Sequence, residues 1–321
     1  MPGHAQLFKP NYEFDPDYIT NCTDLVLFKF SVSRQINNLE WHNTIHETRI
    51  HYRPNDNLAL TLGGNYRGLG LAFSYSTNAF DRDTEEKGTT RALRLQFQTY
   101  QRKFFIESSF ERYTGFFIEN PEEIGLTNAE VYPQLDDLST VDVRLQGYRV
   151  FNDRKFSFRA LHLQTERQFK SAGTWLLGGV VQYYGSLGGT RLIPEESQRL
   201  ELKAIDVNRF RNVRVSLSGG YAYTWVFHKR LFLSGVVLPD VGWELVETRN
   251  AITDVSQQDF SPSVNAEMRA VAGYTVKNFF AGVMGWMDLN LYHQVLENNF
   301  LQEYRFIQVF VGVRLDLLDR Q

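Results

Sequence analysis

The stretch Gln308-Val-Phe-Val-Gly-Val-Arg-Leu-Asp-Leu317 decides the fold. Val309, Val311, Val313, Leu315 and Leu317 fall on one face of an extended chain. Gln308, Phe310, Gly312, Arg314 and Asp316 fall on the other. Successive side chains of a strand point to opposite sides, so this segment has one apolar surface backed by a mostly polar one; a helix would mix the two sets. The same period recurs upstream. Leu93, Leu95 and Phe97 alternate with Arg94, Gln96 and Gln98. Ile106, Ser108 and Phe110 alternate with Glu107, Ser109 and Glu111. Val141, Val143 and Leu145 alternate with Asp142, Arg144 and Gln146. Val213, Val215 and Leu217 alternate with Arg214, Ser216 and Ser218. Val264, Ala266, Met268 and Ala270 alternate with Asn265, Glu267 and Arg269.

Working outward, strands are expected near 24–35, 44–52, 57–65, 68–77, 90–101, 103–113, 139–150, 155–163, 173–184, 211–223, 229–238, 263–275, 277–290 and 302–317. Short turns fall at Tyr66–Gly68, Gln101–Lys103, Asn152–Arg154 and Val276–Asn278, and long polar connections at 78–89, 114–138, 185–210, 239–262 and 291–300. Short turns at one end and long loops at the other are the pattern of an antiparallel barrel, and single-chain bacterial barrels take even strand numbers. The expectation is an all-β chain: residues 1–23 as a polar lead-in, then a single transmembrane antiparallel β-barrel of about 12–14 strands with long external loops over 24–318. One conflict stands: the strands between 155 and 223 give the wrong parity for 185–210 to be an external loop.

Composition is compatible with this reading. Of 321 residues, 43% are hydrophobic, 22% charged and 14% aromatic, and the formal net charge is -3. A nucleic-acid binder would show a basic surplus or stripe, and none is present. Cys22 is the single cysteine, so neither an internal disulfide nor a thiolate zinc cluster can form, and no apolar run precedes it as a lipoprotein anchor would need. No eighteen consecutive residues are apolar enough for a membrane helix, whereas barrel strands escape such a scan. Ala5 before Gln6 is compatible with the remnant of a cleaved signal peptide.

A soluble barrel or sandwich shows the same alternation with its apolar face inward. Three features favour an apolar exterior and an outer-membrane location. The polar faces carry both acids and arginines, many strands reach ten residues, and aromatics such as Tyr183, Tyr184, Tyr221, Tyr223, Trp225 and Trp286 gather near strand ends like interface girdles.

Several motifs carry a resemblance: Tyr52-Arg-Pro-Asn55, Gly63-Gly-Asn-Tyr-Arg-Gly-Leu-Gly70, Lys155-Phe-Ser-Phe-Arg-Ala160, Gln168 through Ser171-Ala-Gly173, Ile193-Pro194 and Gly219-Gly-Tyr-Ala-Tyr223. From about residue 24 to the C-terminus the chain resembles an uncharacterised family of Bacteroidota proteins, domain of unknown function 4421. The resemblance implies an exported outer-membrane β-barrel and supplies no activity and no catalytic residues. The ending Leu-Leu-Asp-Arg-Gln departs from the aromatic terminus usual in outer-membrane barrels, which puts the assembly signal upstream or in another form.

Candidate sites were weighed against structural roles. His42, His46 and His51 lack metal-ligand spacing on a strand: residues four apart are about 13 Å apart along it. Ser157, His162 and Glu166 have the types of a hydrolase triad but no nucleophile elbow. Gly63, Gly64, Gly68 and Gly70 flank a tight turn and lack the lysine of a phosphate loop. No catalytic, cofactor or metal residues are therefore expected. The lumen-lining charged set is Arg94, Glu107, Glu111, Asp142, Arg144, Arg159, Glu267, Arg269, Arg314 and Asp316. Enclosed charges need partners: in a narrow lumen these residues form a sealing ladder, and in an open one they line a solute path. The functional expectations are a channel or transport pore for small solutes, a closed accessory barrel scaffolding envelope proteins, and, behind both, a membrane-embedded hydrolase. The partners expected are outer-membrane lipid and lipopolysaccharide, with no nucleic acid.

Overall fold

The computed structural model describes residues 14–55, 58–77, 83–126, 131–187, 191–293 and 297–317. The Ala5–Gln6 step and parts of four expected loops lie outside them. The strands are β1 (Ile19–Asn21), β2 (Val26–Asn43), β3 (Thr48–Arg53), β4 (Leu58–Tyr66), β5 (Leu69–Thr77), β6 (Arg91–Tyr100), β7 (Phe104–Ile118), β8 (Gln134–Val150), β9 (Glu166–Gln168), β10 (Ala172–Leu187), β11 (Val207–Phe227), β12 (Leu231–Asn250), β13 (Ser256–Thr275), β14 (Phe279–His293) and β15 (Asn298–Leu315). Every neighbouring pair is antiparallel, and β15 closes on β2 from Asn298↔Asn43 to Leu315↔Val26. The result is a closed barrel of 12 staves, and closure removes the open edges of the sheet.

Two of the fourteen expected strands are not staves. The segment expected at 155–163 folds into the lumen as a π-helical turn, Arg159–Leu163, because its apolar residues meet others already inside. Its removal restores the parity of 185–210, which then lies at the long-loop end. The segment expected at 44–52 becomes β3, a bridge. The lower part of β2 pairs with β4, its upper part pairs with β3, and β3 reaches across to β7 through Tyr52↔Ile118 and Arg53↔Phe117. The wall thus has 12 strands toward the turn end and ten at the loop end, where β4, β5 and β6 have stopped. Barrel diameter follows strand number, so the loop end is the narrower.

The connection expected at 239–262 is instead the upper half of a tall hairpin, β12–β13, which turns at 251–255. Pro239 reads as a strand breaker, having no N–H to donate. Here it faces the break in the β11–β12 ladder between Ser218↔Asp240 and Tyr221↔Val237, opposite Gly219 and Gly220. A side chain on Gly220 would strike the Val237 carbonyl at 1.9 Å. At the other end, Arg67 and Gly68 both have positive φ (52° and 87°), the mirror-image turn that two-residue hairpins need.

The outward face is apolar. On β12, Leu231, Leu233, Val237, Val241, Trp243 and Leu245 are exposed, and the next outward residues are Glu247 and Arg249. Leu231 to Leu245 spans roughly 46 Å of strand, or about 33 Å across at a 45° tilt, close to the hydrocarbon thickness of a bilayer. Aromatic pairs border this belt: Trp175–Tyr221 (5.0 Å) and Tyr223–Trp225 (4.7 Å) toward the turns, Trp243–Phe260 (4.9 Å) toward the loops. Tyr184 and Trp286 do not belong to these girdles; their strand parity points them into the lumen.

Candidate functional site: the filled lumen

The lumen is occupied at three levels. At the turn end, residues 152–170 fold inward and meet residues 14–23 of the expected polar lead-in, which form part of the plug. β1 pairs with β9 from Ile19↔Gln168 to Asn21↔Glu166. Glu166, 1% exposed, anchors the plug: it accepts from Arg102 (2.8 Å), Arg159 (3.2 Å) and the Ser157 hydroxyl (2.6 Å). Arg159 also donates to the Tyr100 carbonyl at 2.6 Å, and Arg314 donates to the carbonyls of Gln164 (2.5 Å) and Val276 (2.6 Å). Phe158 stacks on Phe105 at 4.1 Å and on Tyr100 at 5.7 Å.

The middle level is an Arg–carboxylate network. Arg269 on β13 has a fully buried side chain. It donates to both Glu107 oxygens on β7 (2.8 and 2.5 Å) and to Glu267 (2.6 Å), and stacks on Trp286 at 3.9 Å. Arg144 on β8 bridges to Asp288 (2.6 Å) and Glu267 (3.6 Å). Arg94 pairs with Glu111 at 2.7 Å and bonds Tyr304. Asp142 accepts from Gln182 at 2.8 Å, and Gln182 accepts from Arg214 at 2.8 Å. Glu107 and Arg269 are 162 residues apart in sequence and meet only because the sheet closes. Two cavities remain among these groups and share Arg144, Asp288 and Tyr304. Each leaves about 40 Å³ for the centres of water molecules, room for a few waters. Asn212 Oδ1, Arg214 Nε and Gln146 Oε1 are buried without a protein hydrogen-bond partner and belong to residues that line these cavities.

The loop end is closed by an apolar cap in the narrower part of the wall. Phe300 stacks between Phe210 (4.5 Å) and Trp41 (6.3 Å), with Tyr184 against Phe210 at 5.6 Å. Leu192, Ile193, Leu202 and Ile124 enter from the loops. Asp206 holds the fold of 191–206: its Oδ1 accepts from the Leu192 and Ile193 amides at 3.1 and 3.0 Å. Burial raises its carboxyl to about 6.

Of the ten expected lumen residues, Arg94, Glu107, Glu111, Asp142, Arg144, Glu267 and Arg269 meet in the middle level. Arg314 points inward but binds the plug. Arg159 is on the plug and not on a stave. Asp316 is not a lumen residue: it is exposed beyond the end of β15. The expected set lacks Asp288, Gln182 and Tyr304, and Arg214 reads in the sequence only as part of a polar strand face. Asp288, Gln182 and Arg214 alternate with apolar neighbours, Tyr304 stands between Glu303 and Arg305, and only the closed sheet gives them partners. Ser157, His162 and Glu166 form no triad, because Ser157 donates to Glu166 while His162 faces Glu107 at 3.7 Å. His51 instead lies beside Glu40 (3.5 Å) and Glu119 (3.8 Å) on the outer wall, and among the described residues no three His, Cys, Asp or Glu side chains converge as metal ligands.

His162 makes the plug sensitive to acid. Burial, opposed by Glu107 and reinforced by the positive charges of Arg269 and Lys29, pushes its imidazole from 6.5 down to about 3. Between these values the unfolded segment binds the proton more readily. The contribution of His162 to stability is therefore complete above pH 6.5 and declines as pH falls toward 3. Amide exchange across 157–168, normalised to intrinsic rates, should accelerate over that range in the intact barrel. His162→Phe should flatten the dependence; an unchanged profile would assign it to another group.

The match to known families covers residues 13–315. The chain belongs to the family Domain of unknown function (DUF4421). No curated protein matches this DUF4421 chain. Among solved structures it is similar to the outer membrane protease OmpT of Escherichia coli (8% identity, 92% of this chain and 98% of that one, TM-score 0.40). It is also similar to the β domain of the Bordetella autotransporter BrkA (10%, 90% and 99%, 0.35) and to the toluene transporter TodX of P. putida (8%, 91% and 90%, 0.30). At such identities and scores, the closure and site of the DUF4421 barrel rest on its own strand pairing and side chains.

Proposed function

We propose that this protein is an outer-membrane β-barrel of a Gram-negative, Bacteroidota-type envelope, and that it acts as a closed accessory scaffold and not as a constitutive pore or an enzyme. The belt supports the location. Soluble monomers rarely expose contiguous apolar surface beyond a few hundred Å², whereas here it encircles the wall, with Leu62, Leu71, Leu217 and Val309 all more than 60% exposed. Closure rests on one observation: plug, ion-pair network and apolar cap fill the lumen in series. Lipid and lipopolysaccharide surround the belt in this reading, and envelope proteins dock on the loop platform, where Leu200, Ile252 and Val255 are exposed. A gated path for small solutes is the second reading, favoured by the polar cavities of the middle level.

Planar-bilayer recording distinguishes the two. The refolded, inserted protein is expected to give no discrete conductance steps above a heat-denatured control. Reproducible steps from the unmodified chain would overturn the closed reading and make Arg144 and Asp288 the groups to neutralise.

A further inference from the structure

Every connection at the turn end carries an exposed base: Arg67, Lys103, Arg154 with Lys155, Lys229 with Arg230, and Lys277. In each connection at least one of these bases lies within three residues of an exposed apolar side chain at the edge of the belt, namely Leu69, Phe104, Phe151, Leu231 and Phe279. The cations thus follow the perimeter of the barrel immediately below its apolar surface.

Two further observations separate this ring from an ordinary solvated rim. Arg67 and Lys229 have φ of 52° and 56°, the left-handed region where Gly or Asn is favoured, so basic side chains occupy positions the backbone would give to other residues. At the loop end several outer-wall cations are matched by acids: Arg211 with Glu247 (3.8 Å), Arg53 with Glu119 (2.5 Å), Arg249 with Asp254 (2.5 Å). Among the described residues Arg67, Lys229, Arg230 and Lys277 join no ion pair, while Lys170 at the same end pairs with Asp17 at 2.9 Å.

We propose that the turn-end rim binds the phosphates of anionic phospholipids, selecting phosphatidylglycerol-type headgroups over zwitterionic ones in the leaflet that surrounds it. This rests on the membrane-barrel reading above. A lipid surface fits because the charges form a perimeter in register with the belt edge, whereas a protein or glycan partner calls for a compact patch across the plug face. Basic residues near an anionic surface act additively and over about one Debye length, so the selectivity is salt-dependent.

The full chain is reconstituted in phosphatidylcholine bilayers containing trace spin-labelled phosphatidylglycerol or phosphatidylcholine, and the motionally restricted fraction of each label is measured. Insertion is checked first by heat-modifiable gel mobility and flotation. At low salt phosphatidylglycerol is expected to associate about three- to fivefold more strongly, falling toward unity at high salt. The variant Arg67→Asn, Lys229→Asn, Arg230→Gln, Lys277→Gln, whose asparagines suit the left-handed turns, is expected to insert normally and lose the preference. Equal association of both lipids with the inserted wild type, or a preference that survives in the variant, would overturn the proposal while leaving the barrel intact. Binding to isolated peptidoglycan in place of lipid selectivity would overturn it in favour of a glycan partner. Failure to insert at all would refute the membrane reading itself.

Discussion

Arg269→Met destabilises the barrel by about 3–5 kcal/mol, the range for removing one partner of a buried ion pair. The side chain is wholly buried and holds Glu107 and Glu267 at once. Methionine matches much of its length but leaves Glu107 without its arginine and Glu267 with Arg144 alone, at 3.6 Å, in surroundings that hold only a few waters. Urea unfolding in lipid vesicles, followed by tryptophan emission, reads the loss; Trp286, 3.9 Å from the guanidinium, should report the site directly. The triple variant Arg269→Met, Glu107→Gln, Glu267→Gln should recover most of the stability, because buried ion networks replaced as a unit are often nearly neutral. A single variant as stable as the wild type would mean that the middle level is water-filled and not sealed.

Glu166→Gln releases the plug. Arg102 and Arg159 converge on this one carboxylate, with side-chain exposures of 3% and 4%. The amide removes the anion that two buried guanidiniums share, at a cost of about 3–5 kcal/mol. The loss is local, since the staves keep their ladders: residues 152–170 should become protease-sensitive and lose exchange protection while heat-modifiable mobility persists. Arg102→Gln should show a smaller effect, because Arg159 still satisfies the carboxylate. If the plug of Glu166→Gln resists protease as wild type does, its aromatic contacts, Phe158 on Phe105 and Tyr100, suffice to hold it.

The alternation that runs from Val309 to Leu315 made the barrel legible, since each inward or outward choice is local to a strand and costs much surface if shifted by one residue. The same logic placed Arg94, Glu107, Arg144, Glu267 and Arg269 on one face. It failed where local pattern and location part. Lys155–Leu163 looks like a strand by its residue types, but a plug buries apolar side chains as well as a stave does. Residues 239–250 look like a loop because Pro239 reads as a strand breaker, although Val241, Trp243 and Leu245 continue the outward face of the belt. Asp316 keeps the parity of the strand but lies beyond its last ladder pair.

The sequence by itself determined an antiparallel sheet with two chemically distinct faces, its turn end, its loop end and the charged character of one face, because those properties are written in periods of two residues. Only the tertiary structure decided which face was enclosed, that the wall narrows from 12 strands to ten, and that the acids and arginines pair across the lumen. Those outcomes depend on closure of β15 onto β2 and on contacts between residues more than a hundred positions apart, which no local period encodes.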